Sequence, residues 1–138
     1  MTRLGPRKRV SADFWQGRLT AGRDYLEAAR NELTLATIGK DAKPIVSLIV
    51  LAAIAYADAV TAHRARVVNQ QDHAGAPRLL RDVLGNLLPD THERAFRSIL
   101  GLKDEAQYGA RRIALQKAQA LFETLEPFAQ WAEDRLPL

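Results

Sequence analysis

The run from Ile45 to Ala57, thirteen residues relieved only by Ser47 and the hydroxyl of Tyr56, makes a helix with almost no polar side to turn to water. A helix that is apolar all round has to be covered on several faces, so the rest of the chain must wrap it. Closed at once by Asp58, the run is well short of the roughly 20 residues that span a bilayer, and it reads as a buried core helix.

The segments available for wrapping also carry the helical period. Phe14, Leu19, Tyr25, Leu26, Ala29, Leu33 and Ile38 form one stripe. They predict a first helix from Ala12 or Asp13 to Ile38, with Ser11 as N-cap and Gly39 in the left-handed position beyond it. Trp15, Arg18, Arg23 and Glu27 of that helix are expected to look outward or toward a partner. Pro44 suits the first turn of a second helix, Ile45 to about Val68, amphipathic from Asp58 onward. The polar segment Asn69 to Pro77 reads as a loop, and Pro77 opens a short third helix, Arg78 to Leu84, closed by Gly85. Asp90 and Glu93 have the spacing of a capping box for a fourth helix ending near Leu100. After a polar stretch, Lys103 to Gly109, a last long helix is expected from Ala110 to Arg135. Its apolar face holds Ile113, Ala114, the Lys117 stem, Leu121, Leu125, Phe128, Trp131 and Ala132, and a kink or break is expected at Pro127.

Gly and Pro are sparse, 8 and 6, and fall mainly between these stretches, while strand-like alternation appears nowhere. The fold class that follows is all-α: an antiparallel helical bundle of about five helices, three long and two short. A chain of 138 residues with 47% hydrophobic residues fits one such domain, residues 11–138, preceded by a basic flexible arm, residues 1–10.

The net charge of +4 comes from that arm, because Arg3, Arg7, Lys8 and Arg9 leave 16 basic residues to balance 16 acids. Arg7, Lys8 and Arg9 are therefore candidates for contact with nucleic-acid phosphates, against the alternative of a solvated tail. No cysteine is present, which excludes disulfides, thiolate zinc sites and cysteine nucleophiles and fits a reducing compartment. With no apolar core behind MTRLGPRKRV, no secretory signal is visible, and a cytoplasmic, membrane-free protein is expected.

His63, His73 and His92 lie in different segments without the spacing of a helical metal site, and no phosphate loop or nucleophile elbow is present. Neither a metal nor a cofactor is expected. Six residues separate Arg66 from His73, but with 15 arginines and 3 histidines such spacings arise by chance.

One arrangement carries more. "AYADAV" in the second helix, a polar loop bearing His73, and "KDEAQYG" before the terminal helix resemble the HEPN superfamily of small helical bundles over roughly residues 45–135. That resemblance implies a homodimer and an association with a small nucleotidyltransferase or with nucleic acid, as in toxin–antitoxin pairs. It places Lys103 where active HEPN ribonucleases have an Arg, Asp104 where an Asn often follows, and Tyr108 in place of the His. Lysine lacks the bidentate guanidinium fork. Tyrosine, with a reference pKa near 10, is a poor acid–base group around neutrality.

The resemblance therefore implies a non-catalytic binding or regulatory module. A metal-independent endoribonuclease built on Lys103, Asp104, Tyr108 and His73, and a helical adaptor unrelated to nucleic acid, are the alternatives. Arg111 and Arg112 are added as nucleic-acid candidates beside that segment. Residues 103–108 read equally as a solvated turn with Tyr108 wedged against the core, and Trp15 and Trp131 mark a partner surface only if they are accessible.

Overall fold

A computed structural model describes residues 6–70 and 73–137. In chain order these form β1 (Arg7–Arg9), α1 (Phe14–Leu35), α2 (Lys43–Ala65), β2 (Val67–Asn69), α3 (Ala76–Leu84), α4 (Asp90–Leu100), α5 (Lys103–Tyr108) and α6 (Leu115–Asp134). Tight 3-10 turns at His73–Gly75 and Gly85–Leu87 flank α3. The class is all-α, with three long helices as expected and a six-residue helix, α5, in place of an irregular stretch.

The apolar run dictates the architecture. α2 is long and apolar enough to cross a bilayer by those measures alone, yet 78% of its most apolar stretch is buried by the bundle. It packs against α1, α3, α4, α5 and α6. Its burial extends through Ala59, Val60, Thr61 and Ala62, so the change to an amphipathic helix comes at His63 rather than Asp58. Around it, Phe96 of α4 stacks on Phe128 of α6 at 5.1 Å, and His92 stacks on Trp131 at 5.2 Å.

Element ends moved wherever a tertiary contact outweighed the local signal. α1 stops at Leu35, and Ala36 turns extended at φ −69°, ψ 144°. Ile38, expected in the core stripe, is 92% exposed. Gly39 takes the left-handed conformation (φ 97°) as expected, but within the turn to α2 rather than directly after the helix. At the other end the Ser11 hydroxyl bonds Asp13, which holds the N-cap position.

α2 closes at Ala65 because Arg66 goes left-handed (φ 53°), freeing Val67–Asn69 to pair antiparallel with Arg7–Arg9. The expected flexible arm is thus corrected for residues 7–9. Val10 donates to the Arg66 carbonyl at 3.0 Å and Gln70 to that of Pro6 at 2.9 Å. Residues 1–5 of the arm, with Arg3, and Gln71 and Asp72 of the following loop lie outside the described residues.

The capping box does not form. Pro89 holds the N-cap of α4, and Asp90 and Glu93 both turn to Arg81 of α3, at 2.9 and 2.7 Å. α6 begins at Leu115, not Ala110, because residues 110–114 form a bent, non-helical stretch bonded to the turn before α2; Ala114 and Lys117 are exposed. It continues unbroken through Pro127, whose ring faces solvent while Phe128 and Ala129 face the core.

Candidate functional site

Many charged groups on the helices are committed to holding the bundle together. Arg18 and Arg23, expected to point outward, reach carboxylates on other helices. Arg18 meets Asp58 at 3.2 Å, and burial pushes the Asp58 carboxyl up to about 6 against that cation's opposing pull. Arg23 donates to Glu133 on α6, and the buried Tyr56 hydroxyl donates to the other oxygen of the same carboxylate at 3.0 Å. The Arg23 hydrogen bond holds Glu133 below the usual carboxylate range, and desolvation raises Tyr56 far above its own. Trp15 is half-buried, edge-on to His63 at 5.2 Å, and Trp131 is half-buried under His92.

The four candidate catalytic residues do not assemble. Lys103 and Tyr108 are five apart on α5, which places them about 140° apart around the helix axis. Asp104 shares a face with Tyr108, and Tyr108 is 78% exposed rather than wedged against the core. Among the described residues no hydrogen bond or ion pair joins any two of these three. His73 follows β2 beyond the C-terminal end of α2, whereas the segment after α5 leads through Gly109 and Ala110 to Arg111, whose carbonyl accepts the Lys43 ammonium at the N-terminal end. The 23 residues of α2 separate those ends by about 34 Å.

The same geometry divides the five nucleic-acid candidates. Arg7, Lys8 and Arg9 lie at one end of α2, and Arg111 and Arg112 at the other, so they are not one surface. Arg7 is also drawn into an ion pair with Asp82 on α3 at 2.7 Å.

What the structure does assemble lies at the N-terminal end of α2. Asp41, in the turn between α1 and α2, accepts the Ile113 amide at 3.0 Å and the Lys43 amide at 3.1 Å. The first of these does most to hold its carboxyl below the usual range. Ala42 donates to the Ile113 carbonyl at 2.9 Å, and the Arg112 guanidinium to that of Gly39 at 2.6 Å. These bonds clamp residues 110–114 against the turn and form one wall of a groove of about 580 Å³, lined by Ile38, Lys40, Arg112, Ile113, Leu115 and Gln119 among others.

Of the four large apolar side chains left exposed among the described residues, Leu35, Ile38 and Tyr108 belong to this end. Among the described residues, Lys40 and Arg112 are the only charged ones lining the groove, and Arg111 adjoins it. None of the three makes an ion pair among the described residues. Sequence reasoning missed this site because it assigned Ile38 to the core stripe. The available signal was that apolar spacing ran on into the turn residues Gly39 and Lys40.

The fold and this groove define a class: a small all-α bundle, internally cross-linked by ion pairs, with one open apolar end rimmed by cations. No family model matches the chain, and none of the curated proteins matches it.

Proposed function

We propose that this chain is a non-catalytic, HEPN-like binding module whose partner is a protein segment bearing apolar side chains flanked by carboxylates. The observation that carries this reading is the exposure of Leu35 (78%) and Ile38 (92%) beside a groove whose charged lining is wholly cationic. Exposed apolar patches bordered by polar residues mark interaction sites in soluble bundles. Charge complementarity at the rim selects the partner and its orientation more than it adds affinity. The resemblance of "AYADAV" and "KDEAQYG" to HEPN domains gives the partner a class, a small nucleotidyltransferase, and makes a homodimer part of the proposal.

The ribonuclease reading draws less support, because Lys103 and Tyr108 diverge and His73 is far from both. The test compares the wild-type chain with the pair Leu35→Ser/Ile38→Ser as bait in native lysate, with mass-spectrometric identification. A protein retained by the first and lost by the second is the expected result. Identical recoveries would count against the groove. In parallel, single-stranded RNA incubated with the protein in EDTA should stay intact; cleavage abolished by Lys103→Ala would restore the nuclease.

A further inference from the structure

The opposite end of α2 gathers a second, differently built surface. Antiparallel pairing sets Arg9 across from Val67 and Lys8 across from Val68, and the Val10 amide binds the carbonyl of Arg66. Arg64 and Arg66 end the helix that feeds into β2. Lys8, Arg9, Arg64 and Arg66 are all exposed, and none makes an ion pair with a carboxylate among the described residues. This contrasts with Arg7, Arg18, Arg23, Arg30, Arg78, Arg81 and Arg97, each of which is matched to an acid. Among the described residues, the carboxylates on the bordering helices are already engaged: Asp82 by Arg7 and Arg78, and Asp134 by Gln130. Of the four large apolar side chains exposed among the described residues, Leu35, Ile38 and Tyr108 are at the other end of α2, and Leu87 lies at this one, in a pocket with His63 and Arg64.

We infer that this two-stranded ribbon and the adjoining helix end contact the phosphate backbone of duplex nucleic acid, Lys8 from one face of the ribbon and Arg9 from the other, with Arg64 and Arg66 at the helix end as the remaining contacting cations. Like charges held within a few residues' reach repel one another, and a polyanion relieves that repulsion while releasing its own counterions. A two-stranded ribbon has the cross-section that a duplex groove admits. A lipid surface would call for several large apolar or aromatic side chains beside the cations, whereas among the described residues Leu87 alone of the large exposed apolar side chains lies at this end. The inference is independent of the apolar groove, so either site can fail alone.

The probe is a fluorescein-labelled duplex of about 20 base pairs, titrated with the full chain by anisotropy between about 50 and 200 mM salt. Four phosphate contacts give a slope of log K against log salt of about −3.6. Lys8→Gln/Arg9→Gln should roughly halve that slope and weaken binding about tenfold or more at the higher salt. Arg64→Gln/Arg66→Gln should act similarly, and Arg111→Gln/Arg112→Gln should leave both quantities unchanged. Thermal melts of each variant separate lost contact from lost fold. The inference is overturned by absence of duplex binding at low salt, by a flat salt dependence, or by an equal loss from the Arg111/Arg112 pair. It is also overturned if vesicles containing anionic lipid bind the chain and the duplex does not.

Discussion

Replacing Gly17 and Gly22 of α1 by alanine should have opposite effects on stability, although the two positions are five residues apart on one helix. In a helix interior Gly→Ala ordinarily stabilises by about 0.8–1 kcal/mol, because alanine has less backbone freedom to lose on folding. Gly17 meets nothing within 4 Å of an added Cβ. Close to the helix start, it should gain about 0.5 kcal/mol. At Gly22 the new methyl would lie 3.0 Å from Cδ2 of Tyr56 and 3.2 Å from Cε2 and Cγ. The ring is fully buried, and its hydroxyl is tethered to Glu133, which Arg23 holds in turn, so it has little room to withdraw. Overpacking of this kind costs about 1–3 kcal/mol. Set against the same propensity gain, the net is a loss of about 1 kcal/mol.

Urea denaturation followed by circular dichroism resolves a difference of that size, and for a chain of this length each kcal/mol moves Tm by roughly 3–5 °C. Gly17→Ala should melt slightly higher and Gly22→Ala clearly lower. Combining Gly22→Ala with Tyr56→Phe cuts the tether, so the double variant should lose less than the sum of the singles, by about 0.5 kcal/mol or more. If Gly22→Ala stabilises as much as Gly17→Ala, the ring is not held as described and the α1–α2 packing argument is wrong.

Asp58 should leave a signature in pH. Its folded-state pKa, about 6, lies above the ordinary 3.8, so its stabilising contribution is complete below about pH 4 and is lost as pH rises toward 6. Relative to wild type, Asp58→Asn should therefore improve by up to about 3 kcal/mol between pH 4 and pH 7; an unchanged difference would remove the inferred burial penalty. Arg81→Met should cost about 2 kcal/mol in denaturation, since Glu93, Asp90 and the carbonyls of Gly85 and Leu88 all lose this donor at the α3–α4 junction. Leu35→Ser/Ile38→Ser should shift unfolding by less than about 0.5 kcal/mol per site, because neither side chain is buried in the chain alone. A larger loss would make them structural rather than partner-facing.

The all-α class and the central place of α2 follow from the sequence alone, for a local reason. An apolar run such as Ile45–Ala57 has one way to leave water, and the 3.6-residue stripes of α1 and α6 offer the cover. Turn chemistry was equally legible at Gly39 and Gly85, where the backbone takes positive φ. Tertiary structure decided everything set by contacts between distant residues. A three-residue strand such as Arg7–Arg9 has too little pattern to announce itself, and it exists because Val67–Asn69 is there to pair with it. Asp90 and Glu93 abandon their capping pattern because Arg81, on another helix, offers charge-assisted bonds. Asp41, silent in the sequence, sets the groove by claiming the amide of Ile113, 72 residues away, and in doing so it fixes which apolar side chains are left facing water.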